Sequence, residues 1–214
     1  MNPVLTLDHV SYSYHTPSGE TPALKDISFS VRPGSFTSIA GPSGCGKSTL
    51  LSLIAGLITP EKGCIRFYKS DAMPAAARIG YMLQHDTLLE WRTIYKNILL
   101  GLEVTHQCTE QKKRLAADMM HDYGLASFKN AHPSELSGGM RQRAALIRTL
   151  VLEPDILLLD EPFSALDYQT RLEVSDDIFR IIKEQEKTAL LVTHDISEAI
   201  AMGEQVIVLS SRPA

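Results

Sequence analysis

Nine consecutive residues, Gly41-Pro42-Ser43-Gly44-Cys45-Gly46-Lys47-Ser48-Thr49, are of types that can hold a polyphosphate. They fit the phosphate-loop pattern of Gly, four residues, then Gly-Lys-Ser/Thr. Gly41, Gly44 and Gly46 let the backbone turn tightly and bring its N–H groups close to phosphate oxygens. Lys47 places a positive charge on the β- and γ-phosphates, and the Ser48 hydroxyl is offered to Mg²⁺. A helix beginning near Gly46 directs its N-terminal dipole at the same anion. An apolar strand (Ser35 to Ala40) leads in, and a helical stretch (Ser48 to Ala55) leads out.

Four further groups carry chemistry. Asp160 closes the apolar run Asp155-Ile-Leu-Leu-Leu-Asp160, and Glu161 follows it. A carboxylate at the carboxyl end of a parallel strand sits where α/β sheets bind ligands. Asp160 is the expected partner of Mg²⁺, directly or through water. Glu161 is placed to polarise a water for attack on a γ-phosphate; a solvated acidic turn is the plainer alternative. His194 ends a second buried strand, where an imidazole N–H reaches a γ-phosphate or serves structure alone. Gln84 ends its own strand, and its amide suits either Mg²⁺ or an attacking water; a surface polar residue is the alternative. Leu136-Ser-Gly-Gly-Met-Arg-Gln-Arg143 is a second Gly-rich element. Ser137 caps the helix that follows, and Gly138 and Gly139 leave its N–H groups open, which makes an anion site without a lysine.

The elements that must position these groups follow from periodicity. Val4 to Tyr14 and Leu24 to Val31 read as antiparallel strands, joined by a turn-rich loop over His15 to Pro22. After the phosphate loop, Leu50, Leu51, Ile54 and Leu57 give a helical apolar face. Cys64 to Tyr68 and Arg78 to Gln84 are strands. From about residue 87 to 152 the pattern turns helical, over Thr93–Leu102, Thr109–Tyr123 and Met140–Leu152. Leu115, Met119 and Tyr123, with Ala116 and Met120, form Met-rich stripes that are expected to be core. Strand, helix and strand then resume: Asp155–Asp160, Tyr168–Glu184 with Leu172, Phe179 and Ile182 buried, Thr188–Val192 and Val206–Leu209. Asp195 caps a short helix between the last two strands, with Glu198 at capping-box spacing.

The chain holds 214 residues, 44% of them apolar and 21% charged, with a net charge of −4. That is one large domain or two close lobes, with enough core to fold without disulfides. The charge balance does not favour nucleic acid. The three cysteines (Cys45, Cys64, Cys108) share no metal or redox spacing, as expected of a reduced, intracellular protein. No signal peptide is read at Met1–Asp8, and no apolar run reaches the length of a membrane span.

With these motifs in order, nearly the whole chain resembles the nucleotide-binding subunit of an ATP-binding cassette (ABC) transporter. Gly41–Thr49 matches the family's Walker A motif, Gln84 the Q-loop and Leu136–Arg143 the signature motif. Ile156–Asp160 with Glu161 matches Walker B and its catalytic glutamate, Ser164–Asp167 the D-loop, and His194 the switch histidine. Tyr14 matches the aromatic that stacks on adenine, with Tyr12 the lesser candidate. The resemblance implies an α/β fold: a P-loop NTPase core of the RecA-like kind with an N-terminal antiparallel β subdomain (about 1–86 and 153–214) and an inserted helical subdomain (about 87–152). It implies ATP and Mg²⁺ as ligands, with Ser48, Gln84 and Asp160 around the metal and Glu161, His194 and Gln84 at the reaction. It also implies a head-to-tail pair of cassettes in which Ser137, Gly138, Gly139 and Asp167 of one copy close on ATP held by the other. The partners implied are a second ATPase subunit, transmembrane permease subunits and, through them, an extracytoplasmic solute-binding protein. The place implied is the cytoplasmic face of the cell membrane. Cys45 is expected to be shielded from thiol reagents by bound ATP.

The stretch Gln84 to Glu103 is similar to importers of the nitrate/sulfonate/taurine and thiamine-precursor type, which carry Leu-X-Trp-X-Thr-X-X-X-Asn here. Trp91 would then lie near the groove that receives the permease's coupling helix, unless it packs in the core of the helical lobe. Ala145-Leu-Ile-Arg148-Thr-Leu departs from the family's Ala-Arg-Ala-Leu, and His85 stands where Glu or a small residue is usual. The chain stops at Ala214, so a regulatory tail is expected to be missing. The alternatives are a cassette of a lipoprotein-release or export system and a soluble ABC protein of DNA repair or ribosomes. The stretch from 85 to 103 argues against the first. A single cassette, with no long coiled coil between Lys47 and Ser137, argues against the second.

Overall fold

The computed structural model describes residues 2–17, 19–68, 73 and 76–214. In chain order the elements are β1 (Leu5–Thr16), β2 (Gly19–Val31), β3 (Phe36–Ala40), α1 (Lys47–Ile54), β4 (Lys62–Phe67), β5 (Ile79–Met82), α2 (Ile94–Val104), α3 (Glu110–Asp122), α4 (Gly138–Leu150), β6 (Ile156–Asp160), α5 (Tyr168–Glu184), β7 (Thr188–Thr193), α6 (Ile196–Met202) and β8 (Gln205–Val208). The mixed α/β architecture is that of a P-loop NTPase core. The chain divides into two compact units: Met1–Ile79, Asp155–Glu161 and Ile182–Ala214 form the first, Gly80–Pro154 and Pro162–Ile181 the second.

The first unit holds two sheets. One is antiparallel, in the order β2-β1-β4. Its first hairpin is tighter than the sequence suggests. Strand pairing runs to Thr16 opposite Gly19, so most of the loop expected over His15–Pro22 is strand; Ser18 of that loop lies outside the described residues. Pro22 fits because β2 is an edge strand, where a missing N–H costs no ladder bond. In the other sheet β6, β7, β3 and β8 follow one another in parallel. Every residue of β3, β6 and β7 is buried, as strands covered on both faces require.

Two apolar residues lie elsewhere than expected. Leu57 is 67% exposed. The cause is a Schellman cap: Gly56, at φ 72°, lets its N–H bond Leu53 O and the Leu57 N–H bond Ser52 O, which ends α1 and turns Leu57 outward. Leu172 is 50% exposed, because the buried stripe of α5 runs through Val174, Ile178, Ile181 and Ile182. Leu172 lies two residues before Val174, about 200° round the helix. Phe179, one residue off the stripe, is half-buried, whereas Ile182 is buried as expected.

Asp155 ties the start of β6 to Arg78. Its carboxylate accepts from the Arg78 backbone N–H at 2.8 Å and from the guanidinium at 3.1 Å. Burial pushes this carboxyl up, and the Arg78 hydrogen bonds and charge overcome it, leaving it below its ordinary value of 3.8. A group whose folded pKa is depressed adds stability above its unfolded pKa and loses it as pH falls through the folded value. Asp155→Asn is therefore expected to cost about 0.5–1 kcal/mol near neutral pH, a figure already reduced for solvent screening of a half-exposed pair. Urea midpoints should show the difference shrinking below about pH 4; a constant difference down to pH 2 would count against the linkage.

The second unit is helical. Thr93 Oγ1 caps α2 by accepting from Lys96 N, and Thr109 Oγ1 caps α3 by accepting from Lys112 N. Ala116, Met119 and Met120 of α3 are buried, so the methionines are core as expected, whereas Leu115 and Tyr123 of the same stripes are only half-buried. The helix α4 starts at Gly138, two residues before the expected Met140, because Ser137 is its N-cap.

Candidate phosphate-binding site

In the parallel sheet Ala40 lies opposite Thr193, and Asp160 opposite Val192. The residues just beyond these strand ends are Gly41, Glu161 and His194. One sheet edge thus gathers three groups that are far apart in sequence.

Gly46 caps α1 at φ 113°, with no side-chain hydrogen bond to the cap. A Cβ there would stand 2.8 Å from Leu24 Cδ2 and 2.9 Å from Ala23 O, so β2 backs the loop at van der Waals distance. The first N–H groups of any helix lack partners within it, which makes this terminus an anion receptor. Lys47 is 5% exposed; its Nζ donates to Gly41 O at 2.9 Å and Pro42 O at 3.0 Å, and stands 3.5 Å from Glu161 Oε1.

Glu161 has φ 45°, in the left-handed region that L residues enter at a cost of about 1–2 kcal/mol. Its N–H donates to Val192 O at 2.9 Å, which holds that conformation. Its carboxylate, 17% exposed, meets Lys47 on one oxygen and His194 Nδ1 at 3.0 Å on the other. A carboxylate only accepts, so this contact puts the His194 proton on Nδ1. Nε2 of the neutral ring is then an acceptor, and the expected N–H donation to a γ-phosphate through Nε2 needs the imidazolium.

Ser48 Oγ donates to Asp160 Oδ1 at 3.0 Å. A hydroxyl and one carboxylate, both hard oxygen donors beside a phosphate cradle, are the set Mg²⁺ takes when substrate phosphates complete its shell. Among the described residues no cluster of three or more His, Cys, Asp or Glu is suited to a metal ion. Tyr14 is hydrogen-bonded to the loop, its hydroxyl 3.0 Å from Thr49 Oγ1, and the Tyr12 ring braces it edge-on with centroids 5.1 Å apart. Tyr14 is 40% exposed, leaving ring surface for a stacked base. Cys45 departs from expectation: it is 1% exposed, buried in the loop's own packing. Shielding by nucleotide is therefore not needed to protect its thiol.

The second unit builds a different anion site. Ser137 Oγ accepts from Met140 N at 3.4 Å and caps α4. A cleft of about 480 Å³ there is lined by Ser137, Gly138, Gly139, Asp167, Thr170 and Glu173, among others. Hydrogen bonds from the Thr170 hydroxyl and backbone N–H hold the Asp167 carboxyl below the usual range. Gly139 also serves packing, since a Cβ there would stand 2.6 Å from Val174 Cγ2 of α5. Gln84 lies in this unit and donates from Nε2 to Ser164 Oγ at 3.3 Å. Trp91 is 76% exposed, so it is no core residue of the lobe.

Sequence reasoning missed several supporting residues. Asn97 is fully buried; its Oδ1 accepts from Leu89 N, and its Nδ2 donates to the carbonyls of Leu89, Arg92 and Thr93. It closes the turn that displays Trp91. The spacing Trp91-X-Thr93-X-X-X-Asn97 held that signal. Nothing local marks Leu24 as the support of Gly46, or Ser164 as the partner of Gln84.

A lysine-bearing glycine loop between a parallel strand and a helix, with a carboxylate pair at the end of the next strand but one, defines a nucleoside-triphosphate-hydrolysing P-loop protein. Residues 24–164 match the family described as ABC transporter. The chain is 49% identical over 209 residues to an uncharacterized ABC transporter ATP-binding protein, YtlC, of Bacillus subtilis (strain 168), covering 98% of this chain and 80% of that one. It is 44% identical to the aliphatic sulfonates import ATP-binding protein SsuB 1 of Rhodococcus jostii (strain RHA1), over 90% of this chain and 75% of that one. Among solved structures it is similar to the dimeric ATP-binding cassette MJ0796 in a post-hydrolysis state bound to ADP and Pi, with a TM-score of 0.79, 31% identity and coverage of 97% and 96%. The chain belongs to the ABC transporter family, as an ATP-binding subunit that hydrolyses ATP with Mg²⁺.

Proposed function

We propose that the chain powers an importer of a small solute of the sulfonate, nitrate, taurine or thiamine-precursor kind, working as a pair of copies. The observation that carries the paired site is the presence of two different anion-receiving helix N-termini. The α1 terminus has Lys47, the Ser48–Asp160 oxygens and Glu161. The α4 terminus has Ser137, Gly138 and Gly139 in an open cleft with Asp167 and no lysine. The second suits a γ-phosphate already held by another copy's first.

In this reading Gly41–Thr49 binds the phosphates, Lys47 turns from the loop carbonyls to the β- and γ-phosphates, and Tyr14 stacks on adenine. Ser48 and Asp160 would hold Mg²⁺, which would supply positive charge beside the phosphate oxygens. Glu161 takes a proton from the attacking water, and His194 orients that carboxylate and reaches toward the γ-phosphate. ATP favours the closed pair and ADP does not, which is the differential affinity a cycle requires. Permease subunits receive the movement through the surface near Trp91, and a solute-binding protein delivers the cargo. No helix of the described residues is long and apolar enough to cross a membrane. The place we propose, from the likeness to import ATP-binding proteins, is the cytoplasmic face of the membrane, docked on the permease subunits.

The test is the concentration dependence of hydrolysis by the purified chain. The rate per chain should rise in proportion to chain concentration at the dilute end and level off when pairs saturate. A rate per chain that stays constant across the range would sink the shared site.

A further inference from the structure

Arg141 and Arg148 stand seven residues apart on α4, two turns, and so share a face. Both grip Asp86. Arg141 donates from Nε to Asp86 Oδ2 at 3.0 Å and from Nη1 to Leu136 O at 2.8 Å. Arg148 donates from Nη2 to Asp86 O at 2.7 Å and to Thr87 Oγ1 at 3.0 Å, and from Nη1 to Thr87 O at 2.9 Å. Thr87 has φ 49°, a left-handed conformation that is costly for a β-branched residue. Asp86 also accepts from Leu88 N at 3.1 Å, so Asp86, Thr87 and Leu88 are each tied by hydrogen bonds. Gln84 itself is joined to Ser164.

We infer that Arg148 is a positioning residue: its guanidinium holds Thr87 in the left-handed turn and so fixes the Gln84–Leu88 segment onto α4, the helix whose N-terminus carries Ser137 and Gly138. The inference deepens the proposed function and rests on it for its consequence in turnover. Gln84 then cannot move without α4. A change felt by Gln84 arrives at Ser137–Gly139 as a displacement of the whole helix, not as a loop fluctuation. The planar fork of Arg148 satisfies two carbonyls and a hydroxyl at once, which a lysine ammonium cannot do in the same plane. The contacts lie wholly within the second unit, far along the chain from the lysine loop. Affinity for ATP is therefore left alone, and turnover is what changes.

The test combines Arg148→Ala, Arg148→Lys, Thr87→Asn and the double variant Thr87→Asn/Arg148→Ala in the full chain. Asn enters the left-handed region far more readily than Thr, so it replaces part of what the arginine enforces. Backbone hydrogen exchange over 84–89 should speed up by about tenfold in Arg148→Ala and fall back toward the unmodified chain in the double variant. The kcat for ATP should fall about tenfold with KM within about twofold, and the double variant should recover at least about a third of it. Arg148→Lys should lie between; if Arg148→Ala does not fold, Arg148→Lys with and without Thr87→Asn carries the same comparison. Unchanged exchange over 84–89, or effects of Thr87→Asn and Arg148 replacement that simply add, would overturn the inference. If the unmodified chain shows no concentration-dependent hydrolysis, the paired-site reading falls instead, and the exchange result alone decides what Arg148 does.

Discussion

Replacing Glu161 with Gln is expected to lower ATP turnover by roughly 10²–10⁴-fold while ATP affinity stays within about threefold. The side chain keeps its length and its oxygen acceptor. It loses the negative charge that stands 3.5 Å from Lys47 Nζ, and with it the capacity to take a proton from water. Lys47 keeps its two carbonyl acceptors, at 2.9 and 3.0 Å, so the loop is not left with an unpaired ammonium. The amide can still meet His194 Nδ1, 3.0 Å from the present carboxylate. Binding and folding are thus spared, and the proton acceptor is removed. With hydrolysis stopped, ATP should hold the closed pair together, visible as a dimer by size-exclusion chromatography in ATP but not in ADP. Turnover at the unmodified rate would remove Glu161 from the role of base.

The second large effect is expected at Gly46. Gly46→Ala places a methyl group 2.9 Å from Ala23 O and 2.8 Å from Leu24 Cδ2, on a residue at φ 113°. The side chain of Leu24 can yield by rotating. The carbonyl of Ala23 belongs to the β2 backbone, at a register shift between β1 and β2, and accepts from Ala214 N at 3.3 Å, so it yields only if the strand itself moves. Backbone strain and the close contact together should cost about 2–3 kcal/mol, a sizeable part of a stability of about 5–15 kcal/mol. The loop can relieve the contact only by moving the α1 terminus, so ATP affinity should fall by more than about tenfold as well. Urea unfolding and equilibrium ATP binding read the two losses separately. A chain with Gly46→Ala that bound ATP as before would show that this terminus is not the phosphate receptor.

What the sequence disclosed and what it hid follow from the range of the forces involved. The lysine loop, the Asp160–Glu161 strand end and the Ser137 cap are each local, because the chemistry needs neighbours in the chain. The continuous apolar runs of β3, β6 and β7 also spoke for themselves, since burial on both faces leaves no room for alternation. Leu57 misled because one glycine after Ile54 turns the chain out of the helix. Leu172 misled because periodicity gives spacing but not which stripe meets a neighbour. The long-range supports, Leu24 behind Gly46 and Ser164 beside Gln84, act across distances in sequence that no spacing rule spans. The left-handed conformation of Glu161 is of the same kind: it is imposed by Val192 O on the next strand, and a glutamate carries no sign of it.

The buried Asn97 and the turn it closes have an optical consequence. Trp91 is the single tryptophan of the chain, 76% exposed on a turn whose carbonyls are tied to one side chain. All indole emission therefore comes from one fixed point on the surface, with no background from a second indole. Any partner that covers this point dries the ring and moves its emission to shorter wavelength, and none of the groups that handle ATP need be touched to see it. The protein carries its own contact gauge, a chromophore placed where docking would be felt.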